Sequence, residues 1–206
     1  MLDFNKLYIY RITHIDNIEH ILQYGITHKN SAYCNQGYRT IGDDSLINRR
    51  DNKFLPNGQV LGDYVPFYFH YRMPMLFVLQ KGFNQLPACS ASEIVYCISS
   101  VQQVLAAQLP FLFTNGHALA GLSTIYESKE IERIAELLDF EAIKAHYWKS
   151  DEDLDLKRRK EAEFLVLGDM PLNSILGFAV YDQTSKAKID SFHSGKHTII
   201  KPTYYF

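Results

Sequence analysis

Residues 63–77 read DYVPFYFHYRMPMLF. Tyrosine and phenylalanine crowd around two prolines and two methionines, with one acid and one arginine. The stretch is too apolar for a surface loop and too interrupted for one long helix. Side chains alternate across a strand, so residues 65–70 read as a strand with Phe67 and Phe69 on one face and Tyr68 on the other. Pro74 suits the first turn of a helix to about residue 80, where its missing N–H has no partner to lose. A strand feeding a helix start, both rich in rings, is either core or the wall of a pocket for a flat ligand.

Upstream, LYIYRIT at 7–13 alternates in the same way and reads as a strand. Asp16 is placed to cap a helix over about 17–24, which Gly25 stops. Residues 27–62 are rich in Gly, Asn, Asp and Tyr and show little periodicity, the mark of a functional irregular segment. A short helix near 44–49 interrupts it. Downstream, 93–98 reads as a buried strand, Ser99 or Ser100 as the cap of a helix to about 107, and 111–113 as a short strand before FTNGHA. Consecutive helices are expected over 129–138 and 140–148, followed by the acidic linker SDEDLD at 150–155 and a basic stretch at 156–160. Strands over 163–167, 175–181 and 198–200, with a helix over 185–192, complete the chain. Strands and helices mix without regular βαβ alternation, so the expected class is α+β.

A length of 206 residues suits a single domain over 1–206, and 47% hydrophobic content supplies a core. Lys+Arg number 21 against 23 Asp+Glu, a net charge of −2, so binding to nucleic acid has to use a local patch. Three cysteines without CxxC spacing read as reduced thiols of a cytoplasmic protein and not as a zinc site. The start shows no signal-peptide pattern, and no apolar run is long enough for a bilayer, so no membrane contact is expected. The P-loop, GxGxxG, HExxH and GxSxG patterns are absent.

Three constellations carry possible chemistry. Arg11-Ile12-Thr13-His14 ends the first strand, where side chains project into a cleft; the bland reading is a satisfied histidine at a corner. Arg49-Arg50 offers guanidinium forks that suit a diphosphate or a base; the bland reading is a solvated helix end. In KRRKEAEFLV, residues 157–166, four cations run into a strand that opens with Glu163. A carboxylate at a strand mouth can hold a ribose hydroxyl and favour a developing oxocarbenium ion; the bland reading is a surface ion pair.

RITHIDNIEHILQYGI, IGDDSLINRR, GDYVPFYFHYRMPMLF, FTNGHA and RRKEAEFLV occur in that order, with TYYF at 203–206. Together they resemble the DarT-type DNA ADP-ribosyltransferases, toxins of the DarT–DarG toxin–antitoxin pairs, over nearly the whole chain. The resemblance implies an ADP-ribosyltransferase-like fold, a split and mostly antiparallel sheet core with peripheral helices. It implies NAD+ as the substrate, no metal, and transfer of ADP-ribose to a base of single-stranded DNA, thymine or, in another branch, guanine. A DarG-like macrodomain antitoxin is the implied partner, and the toxin is expected to be a monomer.

Carried over residue by residue, the resemblance puts the catalytic pair on Glu163 and Arg50, with Arg49 as the alternative one position away. It puts NAD+ beside Arg11, His14, Asn17, Gly25, Tyr68 and Met75, with Arg50 shared. DNA is expected at Arg49, Tyr71, His117, Lys157, Arg158, Arg159 and Lys160. Asn115 stands where Asp is frequent, and Met73 where a small Ser is common. The rival readings are a transferase acting on RNA or protein, a non-catalytic single-stranded nucleic-acid-binding module, and a plain structural α+β domain. The preferred reading requires Glu163 and Arg50, distant in sequence, to meet across one dinucleotide-sized hollow.

Overall fold

In the computed structural model, which describes residues 2–84 and 86–206, eight strands form one sheet. They are β1 (Tyr8–His14), β2 (Tyr64–Tyr68), β3 (Ile94–Ser100), β4 (Phe111–Thr114), β5 (Ile125–Glu127), β6 (Glu163–Leu167), β7 (Gly177–Val180) and β8 (His197–Ile200). Their order is β5-β4-β6-β2-β1-β3-β7-β8, antiparallel throughout except for the parallel pair β7–β8. Helices α1 (Ile18–Tyr24), α2 (Asp44–Asp51), α3 (Pro74–Lys81), α4 (Val101–Ala106), α5 (Ile134–Leu137), α6 (Phe140–Lys144), α7 (Leu156–Lys160) and α8 (Gln183–Asp190) surround it. This is the α+β, split-sheet arrangement expected from the sequence.

The split lies between β1 and β2. β1 pairs with β3 along its whole length, from Tyr8–Ser100 to His14–Ile94. β2 pairs with β6 from Tyr64–Leu167 to Tyr68–Glu163. β1 and β2 meet only at Tyr10–Tyr68 and splay apart towards His14. The Arg11 guanidinium spans the gap, its Nη1 donating to the Pro66 carbonyl at 3.1 Å.

Alternation sorts the strands into two faces. One face buries Ile9, Phe67, Cys97, Phe164 and Phe178 in a continuous core with Ile18 and Ile21 of α1, Val104 of α4 and Ile189 of α8. The other face carries two separate apolar clusters. Tyr10, Ile12 and Tyr96 pack with Leu76 and Leu79 of α3 and with Tyr205. Tyr64, Leu112 and Leu165 pack with Leu55, Leu61 and Ala118. Tyr68 and Glu163 lie in the seam between those clusters, beside the split.

Several boundaries differ from the sequence reading, each for a local reason. The strand at 64 stops at Tyr68, because His70 Nδ1 accepts the Arg72 N–H and turns the chain. The helix expected over 129–138 is a 3-10 segment, Ser128–Arg133, followed by the short α5. The helix expected over 140–148 ends at Lys144, where the Lys160 ammonium takes the carbonyls of Ile143 and Ala145. The basic stretch at 156–160 is itself a helix, α7. β5 escaped the reading because it is only partly buried and lacks a clear alternating pattern. Ser100, and not Ser99, caps α4.

Candidate active site

Glu163 opens β6 and is fully buried. Its Oε2 accepts from Arg50 Nη1 at 2.8 Å, and its Oε1 accepts the backbone N–H of Ala118 at 2.8 Å. Arg50 sits in the last turn of α2, where a cation complements the helix dipole, and Asp43 caps the other end through the Ser45 N–H. Its side chain is 14% exposed, and its Nη2 is buried with no hydrogen-bond partner among the described residues. Arg49, one residue earlier, is exposed. Of the two arginines, Arg50 is the one that meets Glu163.

The loop that delivers the Ala118 N–H is built tightly. Thr114 Oγ1 donates to the Gly116 carbonyl at 2.6 Å and accepts the Glu163 backbone N–H at 2.9 Å. A Cβ on Gly116 would sit 2.4 Å from Arg158 Nη1 and 2.8 Å from the Arg158 carbonyl, so only glycine fits. Arg158 Nη1 donates to the Asn115 carbonyl, Asn115 Oδ1 and Ser123 Oγ, while the Arg158 carbonyl accepts the His117 N–H at 3.0 Å. His117 Nδ1 accepts the Leu119 N–H at 3.2 Å, which leaves the proton of the neutral ring on Nε2. Burial lowers the pKa of that ring despite Glu163 nearby. The Lys53 ammonium donates to the Ala118 carbonyl, and burial lowers its pKa against the pull of Glu163.

Tyr68 lies directly opposite Glu163 on the same face, with its hydroxyl 3.7 Å from Met75 Sδ. Desolvation first, then the Glu163 charge, raises the Tyr68 pKa and keeps the phenol protonated. His14 lies four positions after Tyr10, the partner of Tyr68, on β1, roughly 13 Å along the strand. His14 Nδ1 accepts the Asp16 N–H at 3.1 Å and its Nε2 lies 3.6 Å from Glu93 Oε1. Burial, followed by Arg39, lowers its pKa. A neutral ring that accepts at Nδ1 carries its proton on Nε2, so the nearby thiol of Cys89 and carboxylate of Glu93 gain no metal-binding lone pair from it. Arg50 and Glu163 meet by direct contact, and not across the dinucleotide-sized hollow expected from the sequence. Two hollows, of about 380 Å³ beside Asp63 and Asp169 and about 490 Å³ beside Tyr8 and Lys144, include neither residue.

Residues 10–206 match the profile of the family described as "ssDNA thymidine ADP-ribosyltransferase, DarT". A Thermus sp. (strain 2.9) DNA ADP-ribosyl transferase is 38% identical over 179 residues, 85% of this chain and 81% of its own. The chain belongs to the DarT family. Among solved structures, the Thermus sp. 2.9 DarT in complex with ADP-ribosylated ssDNA superposes with a TM-score of 0.83 at 33% identity, covering 97% of this chain and 96% of that one. The same DarT in complex with NAD+ gives 0.79 at 34%, covering 97% and 98%. A Thermosipho africanus DNA ADP-ribosyl transferase–DNA ADP-ribosyl glycohydrolase fusion protein is 26% identical over 206 residues, 96% of this chain and 49% of its own.

Within this DarT-family chain, the residues singled out from sequence divide sharply. Glu163, Arg50, Tyr68, Met75 and His117 converge on the seam, and Arg11 crosses the split beside it. Asn17 does not present a free amide: its Nδ2 donates to Thr13 Oγ1 and the Arg39 carbonyl, and its Oδ1 accepts the Arg39 N–H. Gly25 is set by packing: its φ is 80°, and a Cβ would lie 2.2 Å from the Met170 carbonyl oxygen. The Tyr71 ring already stacks with His70 and with Tyr204, at 4.2 and 3.9 Å between centroids. Arg158 pairs with Asp155 at 2.6 Å and clamps the 115–123 loop. Arg159 pairs with Asp153 and Asp139, and Lys160 is 3% exposed. Of the four cations expected to face DNA, Lys157 is exposed, Arg158 and Arg159 are partly exposed and paired with acids, and Lys160 is buried. Lys53 and the Ala118 N–H were missed. The first had only its position three residues after Arg50 to mark it, and a backbone donor leaves no trace in side-chain types.

Proposed function

We propose that the chain moves the ADP-ribosyl group of NAD+ onto a thymine of single-stranded DNA, with Glu163 and Arg50 as the catalytic pair. The observation that carries this reading is the 2.8 Å contact between those two groups at the seam of the split sheet. The NAD+ complex and the ADP-ribosylated ssDNA complex of the Thermus sp. 2.9 relative support the substrates. The residues present fit the dinucleotide. Arg50 Nη2 is a buried donor with no acceptor among the described residues, Arg11 places a guanidinium in the split, and about 13 Å of β1 separates the Glu163 end of the seam from His14.

The reaction breaks the bond between nicotinamide and ribose, forms one from the ribose carbon to a ring nitrogen of the base, and releases nicotinamide and a proton. Each Glu163 oxygen keeps a second lone pair beyond its bond to Arg50 or Ala118, so a ribose hydroxyl can donate there while the carboxylate stabilises positive charge on the sugar. The Arg50 guanidinium fixes the cofactor and stabilises the base as its ring proton leaves to solvent. A duplex hides that nitrogen, which favours an unpaired target. The chain acts as one domain over residues 1–206, as a monomer in the cytoplasm. No helix of the described residues is long and apolar enough to cross a membrane. The fusion relative supports a macrodomain-type glycohydrolase antitoxin as partner.

Mass spectrometry of short oligonucleotides incubated with NAD+ tests the reading. One ADP-ribose added to thymine is expected. An adduct on guanine moves the base specificity, and the absence of any DNA adduct overturns the reading.

A further inference from the structure

A chain of net charge −2 needs a local basic patch to hold DNA. Residues 157–160 do not supply it, because Arg158, Arg159 and Lys160 are used internally. Another surface does. Where β1 begins and β2 ends, the hollow of about 490 Å³ is walled by Tyr8, Tyr10, His70 and Phe140, with Lys6 and Lys144 also lining it. Tyr8 is 42% exposed, so its ring is available to a ligand. The other rings are braced: Tyr10 meets Tyr71 edge-on, and Tyr71 stacks with both His70 and Tyr204. Rigid rings lose little entropy when a base stacks on them.

The charge around the hollow is positive. Burial first, and then Lys160, Arg72 and Lys144, lower the pKa of His70, which leaves a flat neutral ring with cations nearby. The one lining acid, Asp3, already accepts from the backbone and side-chain nitrogens of Asn5 and lies 3.8 Å from Lys6. The position is also right. Tyr10 is paired with Tyr68, and Tyr68 with Glu163, so the hollow begins two strand spacings, roughly 10 Å, from the carboxylate and at the same end of the sheet.

We infer that this hollow is a subsite for a nucleotide flanking the acceptor base in single-stranded DNA, with the base against Tyr8 and His70 and a phosphate between Lys6 and Lys144. This rests on the DNA-modifying reading above. Aromatic faces with cations beside them are how single strands are held without sequence preference.

Fluorescence anisotropy with labelled oligothymidylates and no NAD+ tests the subsite independently of transfer. A long strand of about 15 nucleotides is compared with a short one of about 4, within the range of single-strand site sizes. The wild-type chain is compared with Tyr8→Ala and Lys144→Ala. Both variants are expected to bind the long strand about tenfold more weakly, and Lys144→Ala to lower the salt slope by about one. The short strand also reaches a subsite one or two nucleotides from the acceptor, so its binding should weaken in both variants as well. Long-strand affinity unchanged in Lys144→Ala, an exposed residue whose loss leaves the fold intact, overturns the subsite. Transfer to the short strand, followed in parallel by mass spectrometry, reports separately on the reaction, so either claim can fail alone.

Discussion

Arg49-Arg50 and residues 157–160 look alike in sequence: short basic runs beside acids, each at the end of a helix. The structure uses them differently. At the first run, one guanidinium reaches the fully buried carboxylate of Glu163 and its neighbour faces solvent. At the second, Arg158 holds the loop that brings the Ala118 N–H to Glu163, Arg159 binds acids, and Lys160 closes the end of α6. Neither run is a charged patch. Each is a set of individual contacts fixed by helix phase, one shaping the site directly and the other from behind it.

The first way to break that contrast is to remove the carboxylate charge. Glu163→Gln keeps an acceptor for the Ala118 N–H but loses the anion, so transfer should fall about 10³-fold with an unchanged circular dichroism spectrum. Wild-type transfer by this variant would leave the site without its chemistry. Next, Arg50→Ala should cost about 10²-fold in single-turnover transfer, and Arg49→Ala less than about threefold. The reverse order would shift the assignment by one residue. Third, Arg158→Ala should lower kcat about tenfold and leave the KM for NAD+ unchanged, with partial recovery in Arg158→Lys, because it acts through the 115–123 loop. An equal loss in Lys157→Ala would restore a DNA contact role to the whole run.

The smallest expected effect concerns Glu161, which follows that second run. Burial, opposed by Lys157, raises its pKa to about 7. The folded chain then keeps a proton that the unfolded chain releases near pH 4.5, so stability declines as pH rises from about 4.5 to 7. Glu161→Gln should raise the Tm by a few °C at pH 8 and by much less at pH 5. An equal shift at both values would mean the carboxyl does not titrate that way.

Much of the frame was legible in the chain. Alternation marks β1 and β2, the apolar run EFLVL marks β6, and Pro74 marks the start of α3. Glu163 at the mouth of EFLVL could be placed because strand polarity alone puts it at an edge. Helix phase was not legible in the five residues of α7, too few turns to show which of its cations faces outward. The split between β1 and β2 was hidden for a similar reason: a single pair, Tyr10–Tyr68, joins two strands whose own patterns look complete. Asn17 and Gly25 carry no sequence mark that distinguishes holding a loop or a backbone approach from facing a ligand.

The central claim is that Glu163 and Arg50 work as one unit. A double-mutant cycle of Glu163→Gln and Arg50→Ala, read by single-turnover ADP-ribose transfer to a thymine-containing oligonucleotide, tests it most directly. Coupling predicts that the double variant transfers within about threefold of the slower single variant. Losses that multiply, to about 10⁵-fold, would show two groups acting independently and would contradict the account.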